Sequence, residues 1–224
     1  MTKEELLEYF EFNSEEEKEE AEFYIAVKGI VLHTKILKYL DFNFHNGQKI
    51  SWESVSGQLR QDKLLRDKLY IYLATLEEYI RAYIANKYED DVGHSFWING
   101  IGKRNRIRNN IEAGLNLFDI LEEVDFGTLI QQVKKLPEED IIRLFGDKGT
   151  DQNIEAVREL RNAVSHHKFM FSHKFLKCDI NGVINDTLES NIKNLRQLLP
   201  EKYRFGTNGS GGITGDMRKC KIFI

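Results

Sequence analysis

The sequence predicts an all-α fold of about seven or eight helices with little or no strand. Three observations carry this reading. Only Pro137 and Pro200 interrupt 224 residues, so long helices can run unbroken between them. Apolar residues recur at helical spacing over residues 62–87 and again from Ile154 to Val164, the period that turns one face of a helix to a core. The composition is 41% hydrophobic and 30% charged, enough apolar surface for a core in a soluble, helix-rich chain.

Taken in order, residues 3–10 read as a short helix. Asn13 or Ser14 can cap a second one, and Ser14 with Glu17 fits the capping-box pattern. One helix or a pair then runs through EEEKEEAEFYIAVKGIVLHTKILKYL. Residues 1–24 hold ten glutamates against Lys3 and Lys18, so the rest of a chain of net charge −4 carries +4. The glutamate run reads as a solvated face; the sharper alternative is a nucleic-acid mimic shielding a basic site. His33 falls inside an apolar helical pattern and reads as a packed or capped histidine, His45 as a loop residue beside an Asn46-Gly47 turn.

Residues 62–87 carry the longest stripe: Leu65, Leu69, Tyr72, Leu73, Leu76, Tyr79, Ile80, Tyr83 and Ile84. Glu77 and Arg81 form an i,i+4 pair in the favourable order, either a surface ion pair or a sign that Glu77 or Glu78 orients a functional arginine in the interior. A basic loop follows, with Lys103, Arg104, Arg106 and Arg108 among asparagines. It reads as a phosphate-holding surface or as a solvated lead into a helix near 110–122. Phe126 opens another unit. Pro137 takes the first position of a helix that Gly146 stops. Asp151 or Asn153 caps the helix Glu155–Phe169. An Asn181-Gly182 turn precedes a last helix from Asp186 to Leu199. One domain is expected over residues 1–205, with a Gly-rich flexible tail over 206–224. Cys178 and Cys220 have no metal-ligand spacing and read as reduced cytosolic thiols. No apolar run approaches a membrane span, and the N-terminus does not read as a signal peptide. The expected location is cytoplasmic.

The chemistry concentrates in EAVRELRNAVSHHKF. Asn162 and His166, four apart, share a helix face. Arg161 lies five before His166, about 140° round the helix, so a single helix does not aim both at one atom, whereas two copies meeting across a two-fold axis can. Histidine exchanges protons near neutral pH and arginine braces a phosphorane-like transition state. RNA supplies its own 2′-hydroxyl nucleophile. No metal or other cofactor is expected, because the histidines are scattered. The competing reading of His166 and His167 is an ordinary helix C-terminus, where the dipole favours imidazolium.

RNAVSHH resembles the RN-x-x-x-HH signature of HEPN domains, in particular the Abi-like proteins of bacterial abortive infection. DKLYIYLATLEEYIRAYIA is similar to that family's helix with a Glu-x-x-x-Arg pair. DFGTLIQQVKKLPEEDIIRLFG is similar to its stretch beginning Phe-Gly-x-Leu. With the motif helix these segments stand in the family's order and span residues 62–170. The segment KFMFSHKF and the basic run at 103–108 depart from the pattern. The resemblance implies a HEPN-like helical bundle that pairs as a homodimer, and metal-independent RNA cleavage leaving a cyclic phosphate. Arg161, Asn162, His166 and His167 would take the motif roles, with Glu77 and Arg81 supporting them. It also implies phage defence or a toxin, with an antitoxin or other defence partner. The alternative is an inactive HEPN-like module that binds RNA, nucleotides or protein.

Overall fold

The computed structural model describes residues 1–44, 46–89, 109, 112–205 and 211–222. His45 and the run Lys103, Arg104, Arg106 and Arg108 lie outside the described residues. The fold is mostly helical. Eleven α-helices occur among the described residues, with two short strand pairs. They are α1 (Lys3–Leu7), α2 (Glu15–Lys28), α3 (Ile30–Tyr39), α4 (Trp52–Lys87), α5 (Leu117–Glu122), α6 (Phe126–Val133), α7 (Glu138–Phe145), α8 (Asp151–Ser165), α9 (Leu188–Leu198), α10 (Glu201–Phe205) and α11 (Gly212–Lys219). The number exceeds seven or eight because α1, α5 and α10 have only five or six residues, too few to display a helical period. Inside the segment read as a flexible tail, α11 buries Ile213 and Met217. No helix of the described residues is long and apolar enough to cross a membrane.

The described chain divides into two compact units. The first comprises Met1–Asp67 and Ala163–Lys174, the second Lys68–Asn162 and Phe175–Ile224.

In the first unit, Leu6, Phe10, Ile36, Leu37, Trp52, Val55 and Phe169 form the buried core. Fully burying such a side chain stabilises by about 1.5–3 kcal/mol. The strand Phe10–Glu11 (β1) pairs in parallel with Ile50–Ser51 (β2) and brings Phe10 to the core. Trp52 Nε1 donates to Glu20 at 2.8 Å, so one member of the glutamate run is structural. Fully buried His33 stacks on Trp52, ring centres 6.0 Å apart, and bonds the Gly29 carbonyl through Nδ1 at 2.9 Å. Ser14 caps α2 as expected, but the Glu17 carboxylate accepts from the Asn13 backbone N–H rather than completing the box at Ser14. The reciprocal capping box sits instead at Thr2 and Glu5.

In the second unit, the α4 stripe Leu69, Leu73, Leu76, Ile80 and Ile84 is buried, as are Phe126, Leu129, Ile130 and Val133 of α6. Pro137 is the residue before α7 rather than its first, with extended backbone. Neither Asp151 nor Asn153 caps the motif helix: Thr150 Oγ1 accepts the Asn153 N–H at 3.2 Å. That sets the helix start four residues earlier than expected. Asn181 and Gly182 take positive φ angles of 55° and 86° and turn β3 (Cys178–Ile180) into β4 (Val183–Asn185), the geometry of a tight hairpin. Thr187 caps α9. Cys178 and Cys220 are buried and unbridged, and burial pushes the Cys178 thiol up to about 11.

Candidate functional site

The motif helix ends sooner than its periodicity implies. After Ser165 the chain closes with a paired signature: Lys168 N–H bonds Ala163 O at 3.0 Å, and His167 N–H bonds Val164 O at 3.2 Å. This is a Schellman closure, and its left-handed position is normally glycine. Here it is His167, with φ 51°, which costs about 1 kcal/mol for a residue with a Cβ. His166 and His167 thus lie beyond the last helical residue and both are exposed.

A buried acid on α4 organises what surrounds them. Asp62, 2% exposed, accepts the Met170 backbone N–H at 2.7 Å and Arg66 Nε at 2.9 Å. Burial raises its carboxyl above the usual range, against the pull of the Met170 N–H and Arg66. Arg66 Nη1 lies 2.6 Å from His167 Nδ1. Guanidinium has only donors, so in this contact Nδ1 accepts and the ring hydrogen sits on Nε2. The chain Asp62–Arg66–His167 thereby holds the imidazole that the backbone turn presents.

His166 and His167 open onto a groove of about 480 Å³ that Lys28, Lys35, Arg66 and Lys168 also line, over Val27, Val31, Leu32 and Phe169. Among the described residues no carboxylate lines it. A narrow crevice of about 60 Å³ shares Lys28, Leu32 and Arg66 with the groove and adds Arg60 and Lys63. Cations gathered in a concave, half-apolar surface raise the local concentration of anions. Such a surface holds phosphates by charge without reading bases.

Arg161 is placed differently. In the second unit its Nη2 stands 3.7 Å from Glu77 Oε2, and its guanidinium lies 5.6 Å over the Phe126 ring. The other oxygen of Glu77 receives Arg81, which also donates to the carbonyls of Leu121 and Val124. The Glu77–Arg81 pair is therefore not a simple surface pair: it is largely buried and fastens the end of α5. Asn162 is half-buried and makes no side-chain hydrogen bond among the described residues.

The structure thus brings His166 and His167 together with a basic groove, and gathers Glu77, Arg81 and Arg161 round one carboxylate. Sequence reasoning missed Asp62, Arg66, Lys28, Lys35, Arg60 and Lys63. Asp62 and Arg66 offered a local signal, an acid four before an arginine on a helical stripe. Lys28 and Lys35 offered none, since only the fold carries α2 and α3 to the end of α8. Among the described residues no group of three or more His, Cys, Asp and Glu side chains is arranged to hold a metal. No protein-family model, curated protein or solved structure matches the chain.

Proposed function

We propose that this protein is a metal-independent endoribonuclease, acting in bacterial defence or as a cytoplasmic toxin. The observation that carries the proposal is the basic groove, lined by no acid among the described residues, onto which His166 and His167 open. In this reading Lys28, Lys35 and Arg66 hold the RNA phosphates. His166 takes the proton of the 2′-hydroxyl, whose oxygen attacks phosphorus. The 5′-oxygen leaves with a proton returned by an imidazolium, and a 2′,3′-cyclic phosphate remains. His167, with Nδ1 turned to Arg66, offers Nε2–H to a phosphate oxygen rather than serving as the base. Arg161 and Asn162 enter through their place in the RN-x-x-x-HH motif, as transition-state brace and orienting amide. A homodimer would let Arg161 of one copy and His166 of another serve one phosphate.

A specific observation favours a second reading, a non-catalytic RNA-binding or protein-interaction module. Arg161 already has a carboxylate and an aromatic ring as partners, as a structural arginine does. Incubation of purified protein with mixed RNA in EDTA separates the two. The enzyme reading expects cleavage to cyclic-phosphate ends and a loss of about 10²–10⁴-fold in His166→Ala, the usual worth of one proton-transfer group. Equal behaviour of wild type and variant leaves the binding module.

A further inference from the structure

The second unit contains another basic cavity, of about 480 Å³, which shares no residue with the motif groove. Its cations are Lys148, Lys193, Arg196 and Arg204, against a single lining carboxylate among the described residues, Asp147. That leaves a formal surplus of three positive charges in a protein whose net charge is −4. Among the described residues Asp147 pairs only with Lys148, at 3.0 Å, and is itself 81% exposed. Lys193 and Arg196 form no ion pair among the described residues. Arg196 instead stacks on Phe205, its guanidinium 4.9 Å from the ring centre. Stacking holds the plane of the group and leaves its N–H edge to donate.

The walls are fixed from behind by buried amides. Asn153, 1% exposed, donates to Lys148 O at 3.0 Å and to Asp179 O at 3.2 Å, and accepts the Asp179 N–H at 2.8 Å. Fully buried Asn194 on α9 donates to Asn153 O at 2.7 Å. Gln197 donates to Asp179 O at 3.1 Å and to Asn194 Oδ1 at 3.0 Å. One amide network therefore ties the turn after α7, the strand β3 and α9 into one frame. Lys193 and Arg196, three apart on α9, share the face turned to the cavity. Its size suits a small ligand.

Like charges collected on a rigid frame repel one another, and a multiply charged anion relieves that repulsion. A monocarboxylate would leave most of the surplus standing. We infer that this cavity is a binding site for a ligand carrying two or more phosphate charges, held by Lys193, Arg196, Arg204 and Lys148. Two sources supply that chemistry: a small polyphosphate compound, and the backbone of an RNA strand. The inference is independent of the catalytic reading of His166.

Calorimetric titration of the full chain with inorganic tripolyphosphate, a nucleoside triphosphate and a short single-stranded RNA tests it, run beside Lys193→Glu/Arg196→Glu. Saturable tripolyphosphate binding is expected, weakened by about tenfold or more for each cation reversed, the worth of a charge-assisted hydrogen bond. Tripolyphosphate and nucleotide binding without an RNA contribution from these side chains identifies a small ligand. An RNA affinity that falls in the variant with no tripolyphosphate binding identifies a strand. Both side chains are half-buried, so Lys193→Gln alone gives the same reading where the double variant does not fold. Binding of all three probes unchanged in the variants, or no saturable binding of any probe to wild type, overturns the site.

Discussion

The middle and the end of α8 present opposite electrostatic situations within a few residues. At Arg161 the charge is answered: Glu77 supplies a carboxylate shared with Arg81, and Phe126 supplies a ring. At His166 and His167 it is left more open: Arg66 has Asp62 behind it, but Lys28 and Lys35 stand exposed round a groove that no acid lines among the described residues. A balanced, half-buried cation contributes to stability and has little left for a ligand. An unbalanced cluster contributes nothing to stability and is available to an anion. Removing charge should therefore cost stability at one end and binding at the other.

The largest stability effect is expected at Glu77. In Glu77→Ala two guanidinium groups lose their carboxylate. Breaking a fully buried pair costs about 3–5 kcal/mol, and partial exposure here reduces that to about 2 kcal/mol. Chemical denaturation reads it, and a loss below a few tenths would mean that Arg161 is not held as described. Lys28→Ala/Lys35→Ala should do the reverse. Both lysines are exposed, so stability should stay within about 0.5 kcal/mol. The slope of log affinity for single-stranded RNA against log salt should fall by about 1.5 for the two contacts removed. An unchanged slope would leave the groove without phosphate contacts. The smallest effect is expected at His167. His167→Gly suits the left-handed backbone and should shift stability by no more than about 1 kcal/mol, in the stabilising direction. It also removes the imidazole from Arg66. A folded His167→Gly protein that binds and cuts RNA like wild type would limit His167 to closing the helix.

What could be read from the sequence follows the range of the forces involved. The α4 stripe from Leu65 to Ile84 and the α8 positions Ile154, Val157, Leu160 and Val164 announce helices because a helix buries every third or fourth residue. Thr187 and Thr150 show the limit of that signal. Each is a cap beside other plausible caps, and the periodicity places a helix end only to within a turn. The end of α8 was misplaced for a related reason. His167 occupies a position where glycine is the usual mark, so nothing in VSHHKF signalled a stop. The groove was out of reach altogether, since Lys28 and Lys35 are more than a hundred residues from His166 in sequence. Asn153 read as a cap because asparagine is common there. Its burial among Lys148, Asp179 and Asn194 depends on a hairpin and a helix that come later in the chain.

The stacked pair in the first core gives that unit an acid response. Burial holds the His33 imidazole below its ordinary value of 6.5, and Nε2 has no hydrogen-bond partner among the described residues. Above that pH the ring is neutral in both folded and unfolded chains, and no stability is at stake. As the pH falls through 6.5 the unfolded chain takes up a proton that the core refuses. Folding then weakens at a rate approaching about 1.4 kcal/mol per pH unit until the folded ring also protonates. His33→Phe should flatten this acid limb. Because Trp52 lies against the ring in the same core, its indole emission reports the loss of that packing as the acid limb is crossed.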